Sequence, residues 1–274
     1  MDEQQVERLV KEHGLEAEAA RSYLSAADEY NAEEERILGG VFGQVSGPVV
    51  ELGAGRGEFT RELLDNYLKP GQRLYAVERL DTAAAKLRES ITDERLEVIN
   101  SDSVRLPLPD GAAGLVVSRA ALHDFVSDDG DVAAALRDCV RVLAPDGVFL
   151  VYDKVSDGFA DVERESAEGR MERMNVELAA LEGRKCWGLH RSGDYRALLE
   201  DLGLGEIMLT LLDTPDFPAY VGMTKKTIEE KRKAYVKRWG NGVNGILDGL
   251  YRDFDTLPPR ALPMVVAWGR KAAI

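Results

Sequence analysis

Cysteine and histidine are scarce in this chain, which has two of the first and three of the second in 274 residues. Two cysteines, Cys139 and Cys186, cannot build the disulfide framework of a small secreted fold; one helix-packing thiol and one loop thiol in a reducing cytoplasm are expected. His13, His123 and His190 are scattered, and no cysteine pair has the spacing of a chelate, so no metal centre is expected. Apolar runs long enough to cross a bilayer are missing as well. The first residues, Met1-Asp2-Glu3-Gln4-Gln5, lack the charged start and apolar stretch of a secretory signal, and a cytoplasmic location is expected. Positive charge is in the minority, with 35 Lys and Arg against 49 Asp and Glu, for a net charge of −14. That balance disfavours a phosphate backbone as the main partner, DNA included. No internal repeat or low-complexity tract is present. The acidic stretch Ser127-Asp128-Asp129-Gly130-Asp131 lacks the glutamate that would close a calcium loop.

Glycine, by contrast, is plentiful, and three glycines fall close together where they carry information. Val49-Val50-Glu51-Leu52 reads as a buried strand running into Gly53-Ala54-Gly55-Arg56-Gly57 and then a helix from Glu58. Glycine allows a tight turn and a close approach of backbone to ligand. The dinucleotide fingerprint would place its third glycine where this chain has Glu58, which argues against NAD or FAD. Residues 73–78 read as a second buried strand ending in Glu78, about 20 residues after the glycines. Residues 96–102, 114–118 and 143–151 read as third, fourth and fifth strands, with a helix over 131–143 before the last. The length suits one α/β domain with sizeable additions.

The order of these features resembles the class I S-adenosylmethionine (SAM) dependent methyltransferases, in the group that includes quinone-biosynthesis C-methyltransferases. The Gly53-x-Gly55-x-Gly57 turn after Glu51 is similar to that family's first motif. Leu106-Pro107-Leu108-Pro109-Asp110-Gly111 resembles its lead-in to the fourth strand, and Leu143-Ala144-Pro145-Asp146-Gly147 its turn into the fifth. The resemblance runs from about residue 48 to 152 and resumes at the helix over 191–199. It implies a doubly wound, mostly parallel seven-stranded sheet, Rossmann-like, with SAM as cofactor. It also implies that Glu51, Gly53, Ala54, Gly55, Gly57, Glu78, Arg79, Asp102, Ser103 and Ser118 line the cofactor site. Glu78 would accept the ribose hydroxyls, and Asp102 with Ser103 would face the adenine. The Asn/Asp-Pro-Pro-Tyr segment shared by methyltransferases of nucleobase amino groups is absent, because Ser118-Arg119-Ala120-Ala121 stands there, and two cysteines are too few for an arsenic methyltransferase.

Three additions to the shared core carry the question of the acceptor. Residues 1–39 are expected as an N-terminal helical cap, two helices over 4–38 with Gly14 a stop between them, and 40–274 as the SAM-binding domain. Further cap insertions are expected at about 157–190, with Met171, Met174, Leu178 and Leu181 along one side of a helix, and at 214–262. The latter holds a basic segment over 225–239 with Ile228, Tyr235, Val236 and Trp239 on one face. It also holds an apolar stripe of Val243, Ile246, Leu247, Leu250, Tyr251 and Phe254, with Gly245 and Gly249 placed for close helix approach. The basic segment reads either as a docked, solvated helix or as a surface for an anionic acceptor, a membrane or RNA. Tyr23, Tyr30 and His190 are the candidate acceptor-binding residues. His123, just after the fourth strand, is the candidate catalytic residue, as a general base or as a shaper of the pocket.

The expected activity is therefore methyl transfer from SAM to a small-molecule acceptor of aromatic or lipid-like character. Two alternatives stand beside it. One is an RNA or protein methyltransferase docking through the basic 225–238 segment, and the other a SAM-binding regulatory protein without turnover.

Overall fold

A computed structural model describes residues 3–101, 105–127 and 132–273. Two helices, α1 (Glu3–His13) and α2 (Ala17–Gln44), precede the first strand, β1 (Val49–Leu52), and the helix α3 (Glu58–Glu62), which continues for one wider turn to Tyr67. Then follow β2 (Leu74–Glu78), α4 (Asp81–Ser90), β3 (Leu96–Asn100) and β4 (Ala113–Arg119). A short 3-10 turn (Leu122–Asp124) leads to β5 (Val126–Ser127), α5 (Val132–Val142) and β6 (Leu143–Lys154). The second half holds α6 (Val162–Glu165), α7 (Ala167–Leu181), β7 (Lys185–Cys186), α8 (Ser192–Asp201), β8 (Gly205–Leu212), α9 (Tyr220–Trp239), α10 (Val243–Asp253) and β9 (Met264–Arg270).

Seven strands form one sheet in the order β3-β2-β1-β4-β6-β9-β8. β9 is antiparallel to both its neighbours, and the others share one direction. The chain winds outward from β1 to β3, then returns to place β4 on the other side of β1. In open α/β sheets ligands bind outside the carboxyl ends of the strands at such a reversal. The register aligns those ends: Leu52 lies beside Val77 and Ser118, and Ser118 beside Val151. Parallel strands buried on both faces need continuous apolar runs, and β1 is buried throughout.

Alternation along the strands splits the core into two layers. Val50, Leu52, Val116, Phe149 and Val151 pack with Leu136 and Val142 of α5 and with Tyr195 and Leu199 of α8. Val49, Leu115, Val117, Leu150 and Tyr152 face the opposite way, against Leu38 and Phe42 of α2 and Phe59 of α3. A third core lies off the sheet, where Met174 and Leu178 of α7 meet Ile228 of α9 and Val243, Leu247 and Leu250 of α10.

The structure differs from the sequence expectations at several points. α2 does not stop near residue 38 but runs unbroken to Gln44, because Leu38, Val41 and Phe42 at helical spacing dock on the sheet and outweigh the poor helix propensity of Gly39, Gly40 and Gly43. Gly14 does separate the two N-terminal helices, with φ of +67°. Leu181 leaves the α7 stripe and is exposed. A Cβ at Gly245 would meet nothing and one at Gly249 only the side chain of Arg170, so these glycines do not mark close helix approach. No helix among the described residues is long and apolar enough to cross a membrane.

Candidate functional site

The three glycines of the turn after β1 all have positive φ, +71°, +56° and +87°, but they are glycines for different reasons. A Cβ on Gly53 would stand 2.7 Å from that of Ala121, and one on Gly57 would stand 2.3 Å from Leu87 of α4. Those two positions are set by packing. At Gly55 the nearest atom to a Cβ would be a backbone oxygen at 3.9 Å, so this position faces open space. The turn is pinned to β2, since Gly53 and Ala54 donate to the Val77 carbonyl at 2.9 and 3.0 Å. Glu78 completes it by accepting from the Gly55 amide at 2.8 Å and the Leu80 amide at 2.7 Å.

The other expected cofactor residues fall in different places. Glu51 points under α3, where it accepts from the Thr60 hydroxyl at 2.7 Å; burial pushes its carboxyl up to about 7, against that hydrogen bond and the charge of Arg119. Arg79 is exposed, and its carbonyl accepts from Asn100. Ser118 is buried at the end of β4, and its hydroxyl has no partner among the described residues. Asp102 and Ser103 lie outside the described residues.

Beyond Ser118 the backbone turns through Ala120, whose φ is +48° and whose amide donates to the Tyr152 carbonyl at 2.7 Å. Arg119, which the sequence did not single out, bonds Glu34 of α2 at 2.7 Å and also Glu62 of α3, and lies over the rings of Phe59 and Tyr152. Tyr30 reaches from α2 to hydrogen-bond the Tyr152 hydroxyl. Burial raises the Glu34 carboxyl, opposed by Arg119.

His123 lies past the same turn, only 5% exposed. Asp153 accepts from its backbone amide at 2.9 Å and meets its Nδ1 at 2.5 Å. Burial opposes charge on the ring, yet Asp153, Glu172 and Asp124 together push its pKa up to about 9. Lys154 lies between Glu168 and Glu172 at 2.8 and 2.6 Å. Burial opposes the lysine's charge, and the two carboxylates hold it above its ordinary range. His123, Asp124 and Glu172 form a group able to hold a metal ion; the spacing of 49 residues between His123 and Glu172 hides it from a reading of motifs.

Tyr23 and Tyr30 line one open groove of about 810 Å³ between α2 and residues 211–218, together with Glu29, Glu33, Asp213 and Asp216. His190 is not in that groove: it stacks on Trp187 with ring centroids 4.3 Å apart, and its Nδ1 is 3.5 Å from Asp194. Three of the seven basic residues of α9 have acidic partners. Lys225 pairs with Asp255, Arg232 with Asp248 and Glu229, and Arg238 with Glu182.

Residues 50–151 match the family model described as a methyltransferase domain. Among curated proteins, the chain is 30% identical over 129 residues to an uncharacterized methyltransferase of Geobacillus sp. (strain WCH70), covering 44% of this chain and 58% of that one. The chain thus spans just over half the length of the curated relatives it matches. Among solved structures, the [4+2]-cyclase SpnF superposes with a TM-score of 0.61 at 16% identity, over 88% of this chain and 82% of that one. A phosphoethanolamine N-methyltransferase of Haemonchus contortus, solved with phosphomonomethylethanolamine and S-adenosylhomocysteine, gives 0.57 at 15% identity, over 88% of this chain and 52% of that one. At such identities the structural likeness speaks for the fold.

Proposed function

We propose that this chain, whose residues 50–151 match a methyltransferase domain, is a class I methyltransferase that transfers the methyl group of SAM to a small-molecule acceptor at the carboxyl ends of β1, β4 and β6. The observation that carries this reading is the open space at Gly55 bordered by the Glu78 carboxylate, with the unpartnered, buried Ser118 hydroxyl at the adjoining strand end. A buried hydroxyl without a partner costs stability unless something else takes its hydrogen bond. The backbone from Gly53 to Gly57 and Glu78 would hold the cofactor, with Glu78 toward the ribose. Bound SAM supplies an electrophilic methyl on a sulfonium whose positive charge is lost on transfer.

The chain itself has to align the acceptor and exclude water. Arg119, Tyr152 and Tyr30 supply one wall beyond β4, and His123 with Lys154 and Glu172 the other. The groove of Tyr23 and Tyr30 leads toward the first wall; its lining includes four carboxylates and no basic residue, which suits an uncharged or cationic acceptor and not a phosphate backbone.

The test supplies SAM with a labelled methyl to the protein in a cell extract, followed by separation by size. Label in the small-molecule fraction is expected, whereas label in RNA or protein overturns the acceptor class. Calorimetry should show S-adenosylhomocysteine binding to the parent and none to a folded Gly55→Val. Tight binding without transfer to any fraction would leave a regulatory protein instead.

A further inference from the structure

The His123 side of the β4 turn is built as a ligand set would be. Asp153 holds the ring and the main chain of one histidine together, Nδ1 at 2.5 Å and the amide at 2.9 Å, which fixes the ring and leaves Nε2 as its free end. A carboxylate behind Nδ1 is the common support of a metal-binding histidine. The ring is 5% exposed, and its Nε2 faces two carboxylates, Glu172 Oε2 at 3.5 Å and Asp124 Oδ2 at 3.8 Å. These separations are long for hydrogen bonds and close to the roughly 3.0–3.5 Å expected between two ligands that share an ion at about 2.1 Å.

The carboxylates are themselves held from behind. Asn175 donates to Asp124 Oδ1 and to Glu172 Oε2, each at 3.0 Å, and Lys154 donates to Glu172 Oε1 at 2.6 Å. Four carboxylates surround the pair His123 and Lys154, with Asp124, Asp153 and Glu172 against the histidine and Glu168 and Glu172 against the lysine, so with a neutral imidazole the cluster keeps an excess of negative charge. The Asp124 side chain is 52% exposed and opens the cluster to solvent.

From this geometry we propose that His123 Nε2, Asp124 Oδ2 and Glu172 Oε2 bind one first-row divalent cation of the Mn²⁺ or Zn²⁺ kind. One imidazole with two carboxylates suits these ions, while Mg²⁺ and Ca²⁺ favour oxygen throughout. Three protein ligands leave coordination positions open at the rim of the site, where water or an acceptor oxygen binds.

The experiment strips the full chain with chelator and titrates it with Mn²⁺, following free ion by its paramagnetic resonance signal, and with Zn²⁺ against a coloured chelator. One ion per chain is expected, weakened at least about tenfold in Glu172→Gln and in Asp153→Asn, the second by loss of the support behind the ring. Asp124→Asn, at the exposed edge, carries the test if the buried variants do not fold. Absence of saturable uptake, or uptake unchanged in Glu172→Gln and Asp124→Asn, overturns the site and leaves His123 as an imidazolium paired to Glu172. S-adenosylhomocysteine binding is measured on the same samples: cofactor binding without ion uptake removes the metal site alone, and ion uptake without cofactor binding removes the proposed function alone.

Discussion

Glu51 is a buried carboxylate whose hydrogen bond in the folded chain comes from Thr60. It precedes the glycine turn, but alternation along β1 sends it to the face covered by α3, against Thr60. Its folded pKa of about 7 lies above the ordinary 4.5, so the folded chain binds this proton more tightly than the unfolded one. The resulting stabilisation is complete below about pH 4.5 and is lost as pH rises through 7, a difference on the order of 3 kcal/mol. Glu51→Gln keeps the oxygen that Thr60 donates to and should lose this pH dependence. Urea unfolding at pH 5 and pH 8 checks it: the parent's stability should fall between the two, and the variant's should change less. Glu78 was legible as a strand-end carboxylate, but its bonds to Gly55 and Leu80 were not. Because hydrogen bonds to a charged group contribute roughly 1.5–3 kcal/mol, Glu78→Ala should weaken S-adenosylhomocysteine binding about 10-fold to 150-fold by calorimetry. His123 was legible by position. Its setting was not, because Asp153 and Glu172 come to it from β6 and α7 through tertiary packing that no local spacing encodes.

At the scale of elements, the strands were the readable part. Each is an apolar run bounded by glycine, proline or a terminal polar residue, and the order of five such runs was enough to imply the sheet. The apolar stripe of α10 was readable for the same reason, since offsets of three, four and seven put Val243, Leu247 and Leu250 on one side, and all three are fully buried against α7 and α9. Leu247→Ala should therefore cost about 2–5 kcal/mol, seen as an earlier unfolding transition in far-UV circular dichroism, whereas a substitution at exposed Leu181 should cost little. What the pattern did not show was the partner of each stripe, nor that α2 would continue past its glycines. Arg119 makes that partner specific: it ties β4 to Glu34 and Glu62, three charges on three elements.

At the scale of the whole molecule, the additions are attached to the sheet in two unlike ways. The C-terminal part of α2 is embedded in the sheet's own core through Leu38, Val41 and Phe42. Its N-terminal part and α1 rest on a small separate cluster of Val6, Leu9 and Ala20, with Tyr23 and Phe217 beside it. Helices α7, α9 and α10 likewise carry their own core, and they meet the carboxyl end of β6 through polar contacts of Lys154 with Glu168 and Glu172. A satellite core can move as a body without opening the main one, and a polar seam over a ligand site is where such movement costs least. Residues 3–30 of the N-terminal pair and the α9–α10 hairpin are thus expected to close over the strand ends when the cofactor site is filled, shielding the sulfonium from water. Hydrogen exchange should show residues 3–30 and 220–253 gaining protection on addition of S-adenosylhomocysteine, beyond the gain at the glycine turn, while residues 38–44 are protected throughout. If residues 3–30 and 220–253 are already fully protected in the free chain, or unmoved by the ligand, these helices complete the fold and do not gate it.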